Sequence, residues 1–210
     1  METQGTPREQ RSLTGLSEFR KTAGNRLTRL IVQLLSKTPV SPDVITWTGF
    51  LLTLGAAALI ITGHLFAAGF VVLIAGFFDM LDGALARMTD KVTRFGGILD
   101  STLDRLSEAA LLLGVLVVYA REQSMLGIIF VGLVLISSLL VSYIKARAEA
   151  LGLECEVGIF TRPERVVVLA IGLLLSQIDY ALTVVLGIIM VFSFFTAGQR
   201  LLHVWRQTIK

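Results

Sequence analysis

Residues 77–104 read FFDMLDGALARMTDKVTRFGGILDSTLD, which sets Asp79, Asp82, Asp100 and Asp104 in or beside segments that are otherwise apolar. The run before it, Phe66–Phe78, and the run after it, Ala109–Ala120, both read as membrane-spanning. An isolated carboxylate at the centre of a bilayer costs about 2.5–3.5 kcal/mol even on the mildest insertion scale. Four of them demand a compensating positive charge, and the arginines nearby do not balance them. The physical reading is a divalent-metal site at one edge of a bilayer.

Outward from that stretch, the chain is 54% hydrophobic, with a mean hydropathy of +0.75 and only 17% charged residues. Water-soluble domains carry about a quarter charged residues. The apolar excess is concentrated in Val44–Ile61, Phe66–Phe78, Ala109–Ala120, Met125–Ile144, Val166–Ser176 and Tyr180–Ala197. A spanning helix needs about 20 mainly apolar residues, so the shorter runs must continue into their polar flanks. The predicted fold is an all-α integral membrane protein with six transmembrane helices over residues 41–210. Residues 1–40 form a polar tail and a juxtamembrane helix. There Leu27, Leu30, Ile31, Leu34 and Leu35 recur at helical spacing among Arg26, Arg29 and Lys37, the pattern of an amphipathic helix lying in the interface. Thr38-Pro39 and Ser41-Pro42-Asp43 end that helix and open the next.

The net charge is +3, and its placement argues against nucleic acid as a partner. The cations precede the first span, follow the second, lie between the fourth and fifth, and follow the sixth. Only Arg121 falls on the opposite face. The positive-inside rule then puts both termini and the Asp stretch on the cytoplasmic side of the cell membrane. Anionic headgroups of membrane lipids are sufficient partners for most of these charges. Cys155 is the sole cysteine, so neither an intramolecular disulfide nor a thiol cluster for zinc is available. The polar N-terminus has no cleavable signal pattern.

Asp79 and Asp82 are three residues apart and Asp100 and Asp104 four apart, so each pair shares one helix face. Two such faces packed together gather four hard oxygen donors, which suit magnesium, manganese or calcium. Clusters of this kind commonly hold two ions about 3.5–4 Å apart that clamp a phosphoryl group. Gly83 and Ala86 remove bulk beside the carboxylates, and Arg87, one turn from Gly83, is placed to meet a phosphate. The eight positions Asp79, Asp82, Gly83, Ala86, Arg87, Gly96, Asp100 and Asp104 coincide by chance roughly once in several billion starting points. The pattern is therefore read as a built site. Glu108, one turn beyond Asp104, is expected to be structural, orienting a metal ligand or pairing with Arg105. Intramembrane acids also mark ion paths, which makes a transporter the reading from another class. A transporter would more often show inverted repeats and helices broken at mid-membrane.

The spaced motif resembles the signature of the CDP-alcohol phosphatidyltransferase family at every position. The resemblance implies six transmembrane helices, a homodimer and a site for two Mg2+ or Mn2+ ions. It implies transfer of a phosphatidyl group from CDP-diacylglycerol to an alcohol, with release of CMP. Asp79, Asp82, Asp100 and Asp104 would hold the metals, and Asp104 would also be the catalytic base. Gly83, Ala86 and Arg87, with Asp43, Val44, Ile45, Thr46 and Thr93, would contact the CDP-lipid.

The acceptor is to be read elsewhere. Ser142-Tyr-Ile-Lys145-Ala-Arg147-Ala-Glu149 ends the fourth span, Arg162-Pro163-Glu164-Arg165 opens the fifth, and Arg200 lies at the cytoplasmic end of the sixth. Cations converging on one cytoplasmic pocket suggest an acceptor that carries a phosphate. These segments resemble the bacterial phosphatidylinositol phosphate synthase subfamily, which implies inositol 1-phosphate held by Ser142, Lys145, Arg165 and Arg200. Glycerol-3-phosphate bears the same group, so a phosphatidylglycerophosphate synthase is the alternative.

Overall fold

The computed structural model describes residues 42–88 and 93–209. The expected juxtamembrane helix over residues 1–40 lies outside them. Among the described residues there are six helices and no strand: α1 (Pro42–Ile61), α2 (Leu65–Met88), α3 (Arg94–Arg121), α4 (Met125–Ala150), α5 (Arg162–Leu174) and α6 (Ala181–Thr208). Each is built on one of the apolar runs, though α5 stops two residues short of the end of its run and α6 begins one residue into its own.

The ends of these helices follow from local chemistry. Pro42 occupies the first turn of α1, where a missing N–H costs nothing, and Asp43 there faces the positive end of the helix dipole. At the other end the N–H of His64 reaches Leu59 O (2.9 Å) and that of Gly63 reaches Ile60 O (3.0 Å). Gly63 has φ +86°, the left-handed residue that this closure requires. A three-residue turn therefore returns the chain as α2. The turn between α3 and α4 closes in the same way, with Gln123 at φ +55°. Arg121 ties the two turns together by donating to Ile61 O at 2.5 Å.

Four helices, α1, α2, α4 and α6, are long and apolar enough to cross a membrane. The other two depart for distinct reasons. The first half of α3 carries Asp100, Asp104, Arg105 and Glu108, and only its second half is apolar. The 13 residues of α5 rise about 20 Å, short of a hydrocarbon core of about 30 Å. Leu51, Phe70, Ile74, Leu113, Ile129 and Val184 point outward, at least half of each side chain exposed. Contiguous apolar surface of this extent fits a multi-pass membrane protein.

Within the bundle α1 packs on α2 and α3, α2 on α5, α3 on α4, and α6 on α4 and α5. The main core sits toward one end, where Ile60, Val72, Leu112, Val115, Leu173, Leu186 and Ile189 are almost fully buried. Ala56, Ala57, Ala68 and Ala170 join it, small side chains that let membrane helices approach closely. A smaller cluster of Ile45, Leu81 and Leu85 pins the first turn of α1 to α2 at the opposite end. That end carries the carboxylates.

Candidate active site

The carboxylates come from two helices that meet at the polar end of the bundle. Asp79 and Asp82 lie near the end of α2, Asp100 and Asp104 in the first half of α3. Thr93 starts α3, its hydroxyl oxygen accepting from the N–H of Gly96 at 2.9 Å. A side chain at position 96 would lie 2.8 Å from that oxygen and 3.7 Å from Asp43 Oδ1. Glycine at 96 is thus required by close packing at the helix start, with the first turn of α1 alongside.

Asp79, Asp82 and Asp100 each bring one carboxylate oxygen within 4.8 Å of the others. Asp104, expected with them, lies one turn further along α3 and is not one of that close group; it is joined to it through Arg162. Its Oδ1 lies 2.6 Å from Nη1 of Arg162, and the same nitrogen pairs with Asp79 Oδ2. Three carboxylates gathered this closely, with a fourth beside them, concentrate negative charge in a largely apolar bundle. An all-oxygen donor set of that charge fits a hard divalent cation.

Arg162 belongs to a compact device at the start of α5. Glu164 accepts hydrogen bonds from the N–H of Thr161 (2.9 Å) and from its hydroxyl (2.5 Å), closing the helix end. Pro163 needs no N–H there. Arg162 and Arg165, three residues apart, then face α3 together. Arg162 meets Asp104, and Arg165 meets Glu108 one turn on, through Nε to Oε1 (2.6 Å) and Nη2 to Oε2 (2.9 Å). Glu108 does not pair with Arg105, as its position had suggested; Arg105 folds back onto Ser101 O.

Two cavities flank this ladder. One, of about 580 Å³, is lined by Asp79, Asp82, Asp100 and Asp104 at its polar end and by Val72, Leu73, Phe77, Val166 and Val167 along an apolar wall. The other, of about 1030 Å³, is lined by Ser142, Lys145, Arg165 and Arg200, with Ser101, Arg105 and Thr161. All four residues expected at the acceptor therefore share one cavity. Asp104, Glu108, Arg162 and Pro163 line both cavities and form the wall between them. Arg200 is buried and fixed by its own contacts, Nε to Val157 O (2.9 Å) and Nη1 to Val141 O (2.5 Å). Lys145 is half-exposed and lies 3.6 Å from Glu149.

The expected CDP-lipid residues are placed less compactly. Asp43, Val44, Ile45 and Thr46 form the first turn of α1, and Ile45 is buried against Leu81 and Leu85. Neither cavity is lined by any of the four. Gly83, Ala86 and Arg87 fall on the last turns of α2. Sequence reasoning assigned no role to Arg162. Its signal was its place in the first turn of α5, three residues before Arg165.

Residues 39–198 match the sequence model of a family described as CDP-alcohol phosphatidyltransferase. The archaetidylinositol phosphate synthase of Methanothermobacter thermautotrophicus is 36% identical over 194 residues, 91% of this chain and 95% of that protein. A crystal structure of Mycobacterium tuberculosis phosphatidylinositol phosphate synthase with CDP-DAG bound superposes with a TM-score of 0.77 at 38% identity, covering 86% of this chain and 94% of the other. The same enzyme in complex with manganese and citrate gives a TM-score of 0.75 at 38% identity, covering 85% and 88%.

Proposed function

Because the chain belongs to the CDP-alcohol phosphatidyltransferase family, we propose that it transfers a phosphatidyl group from CDP-diacylglycerol to a hydroxyl of inositol 1-phosphate, giving phosphatidylinositol phosphate and CMP. The observation that carries this reading is the position of Asp104. It stands in the wall between a cavity of carboxylates with an apolar lining and a cavity lined by cations, of which Arg165 and Arg200 are buried. The first suits the diphosphate and lipid of the donor, the second an acceptor bearing a phosphate. The relatives' names differ in their lipid part and share inositol phosphate, which supports the acceptor assignment.

In this reading Asp79, Asp82, Asp100 and Asp104 hold the divalent metal, as two ions of magnesium or manganese. When bound, the metal neutralises the donor diphosphate and favours departure of CMP. Asp104 accepts the proton of the attacking hydroxyl as its oxygen bonds to the phosphorus that CMP leaves. Lys145, Arg165 and Arg200, with Ser142, orient the acceptor phosphate. Asp43, Val44, Ile45, Thr46, Gly83, Ala86, Arg87 and Thr93 contact the CDP-lipid along the α1–α2 edge. The catalytic domain is residues 41–210, and all six helices count as spans, α5 the shortest. The carboxylate end and both termini face the cytoplasm, and two copies form a homodimer. The distribution of cations supports that orientation.

The test is CMP release by purified protein supplied with CDP-diacylglycerol, Mg2+ and either inositol 1-phosphate or glycerol-3-phosphate. Release with inositol 1-phosphate, abolished by EDTA and restored by Mg2+ or Mn2+, is expected. Release with glycerol-3-phosphate alone would move the assignment to phosphatidylglycerophosphate synthesis, and none with either would overturn the reading.

A further inference from the structure

Glu108 is nine-tenths buried, yet its carboxylate is not one of the clustered oxygens of Asp79, Asp82 and Asp100. It spends both oxygens on Arg165, which is 2% exposed. A two-point contact of this kind fixes the plane of a guanidinium as well as its position. It uses Nε and Nη2 and leaves Nη1. That nitrogen is buried and makes no hydrogen bond to the protein. Both side chains line the larger cavity, together with Lys145 and Arg200. A buried donor without a partner is costly, and native structures keep such groups where a ligand completes them.

We infer that Glu108 is the positioning residue of the acceptor cavity, holding Arg165 so that Nη1 is presented to an oxyanion of the acceptor. The inference rests on the proposed reading of that cavity as the acceptor site. Without the carboxylate, Arg165 keeps its charge and loses its orientation.

Glu108→Gln tests this, since it keeps the size of the side chain and offers one acceptor instead of two charged ones. The KM for inositol 1-phosphate should rise about 10–100-fold, by analogy with the loss on removing the outer partner that orients a metal ligand. The KM for CDP-diacylglycerol should change less than about twofold, a split that general loosening of the bundle would not produce. Glu108→Asp, which retains the charge, should recover part of the loss. Combining Glu108→Gln with Arg165→Met should add little to Arg165→Met alone. An unchanged acceptor KM, or equal losses for both substrates, overturns the inference. So does failure of both single variants to fold, which would assign Glu108 to packing. If the unaltered protein releases no CMP in response to inositol 1-phosphate, the reading of the cavity fails instead, and the two failures are told apart.

Discussion

Asp104 has two companions with opposite consequences: the carboxylates of the cluster and the guanidinium of Arg162. Replacing it by Asn keeps its size and removes its basicity. CMP release should fall about 10²–10⁴-fold, the usual contribution of a general base, while metal-dependent binding of CDP-diacylglycerol persists in a calorimetric titration. Loss of that binding would make Asp104 chiefly a ligand. Arg162 shares its carboxylates with any cation that enters, and like charges repel. Arg162→Gln should therefore tighten Mn2+ binding roughly tenfold, read by paramagnetic resonance titration, as removal of one charge a few ångströms away predicts even under strong screening. Asp79, Asp82, Asp100 and Asp104 were legible because their spacing matches the helical repeat. Arg162 was not, because the contact joins α5 to α2 and α3 across 83 and 58 positions of sequence, where no local period operates.

At the scale of elements, the segment between α4 and α5 fixes the buried cation of α6. Val157 O accepts from Arg200, the N–H of Phe160 donates to Thr196 Oγ1 at 3.2 Å, and Gly158 lies between them at φ +139°. A side chain there would sit 2.8 Å from Thr196 Cγ2 and 3.4 Å from Arg200 Nε. Gly158→Ala should cost about 1–3 kcal/mol, seen as a lower unfolding temperature in detergent, and should raise the acceptor KM by releasing Arg200. An unchanged KM would mean that Val141 O alone orients that guanidinium. The apolar runs announced α1, α2, α4 and α6, since length and hydropathy suffice for a helix surrounded by lipid. The charged first half of α3 was legible from a different signal, the spacing of Asp100 and Asp104 on one helix face. There, neighbouring helices and opposite charges take the place of solvent.

For the whole molecule, the carboxylate end and the three short turns 62–64, 122–124 and 175–180 lie at opposite ends of the bundle. The proposed orientation makes the turns external. In a Cys155→Ser background, Glu122→Cys should react with a membrane-impermeant maleimide on intact cells, and Glu156→Cys only after permeabilisation. The reverse pattern would invert the topology. Sequence by itself determined the helical class, the membrane environment and the pairing of the acids on two helix faces, because each depends on composition or on spacing within one helix. Only the tertiary structure decided that Asp104 stands between two cavities, that Arg162 joins the acidic cluster, and that Glu108 holds Arg165. Those contacts join helices far apart in the chain, and their geometry is set by how the helices pack.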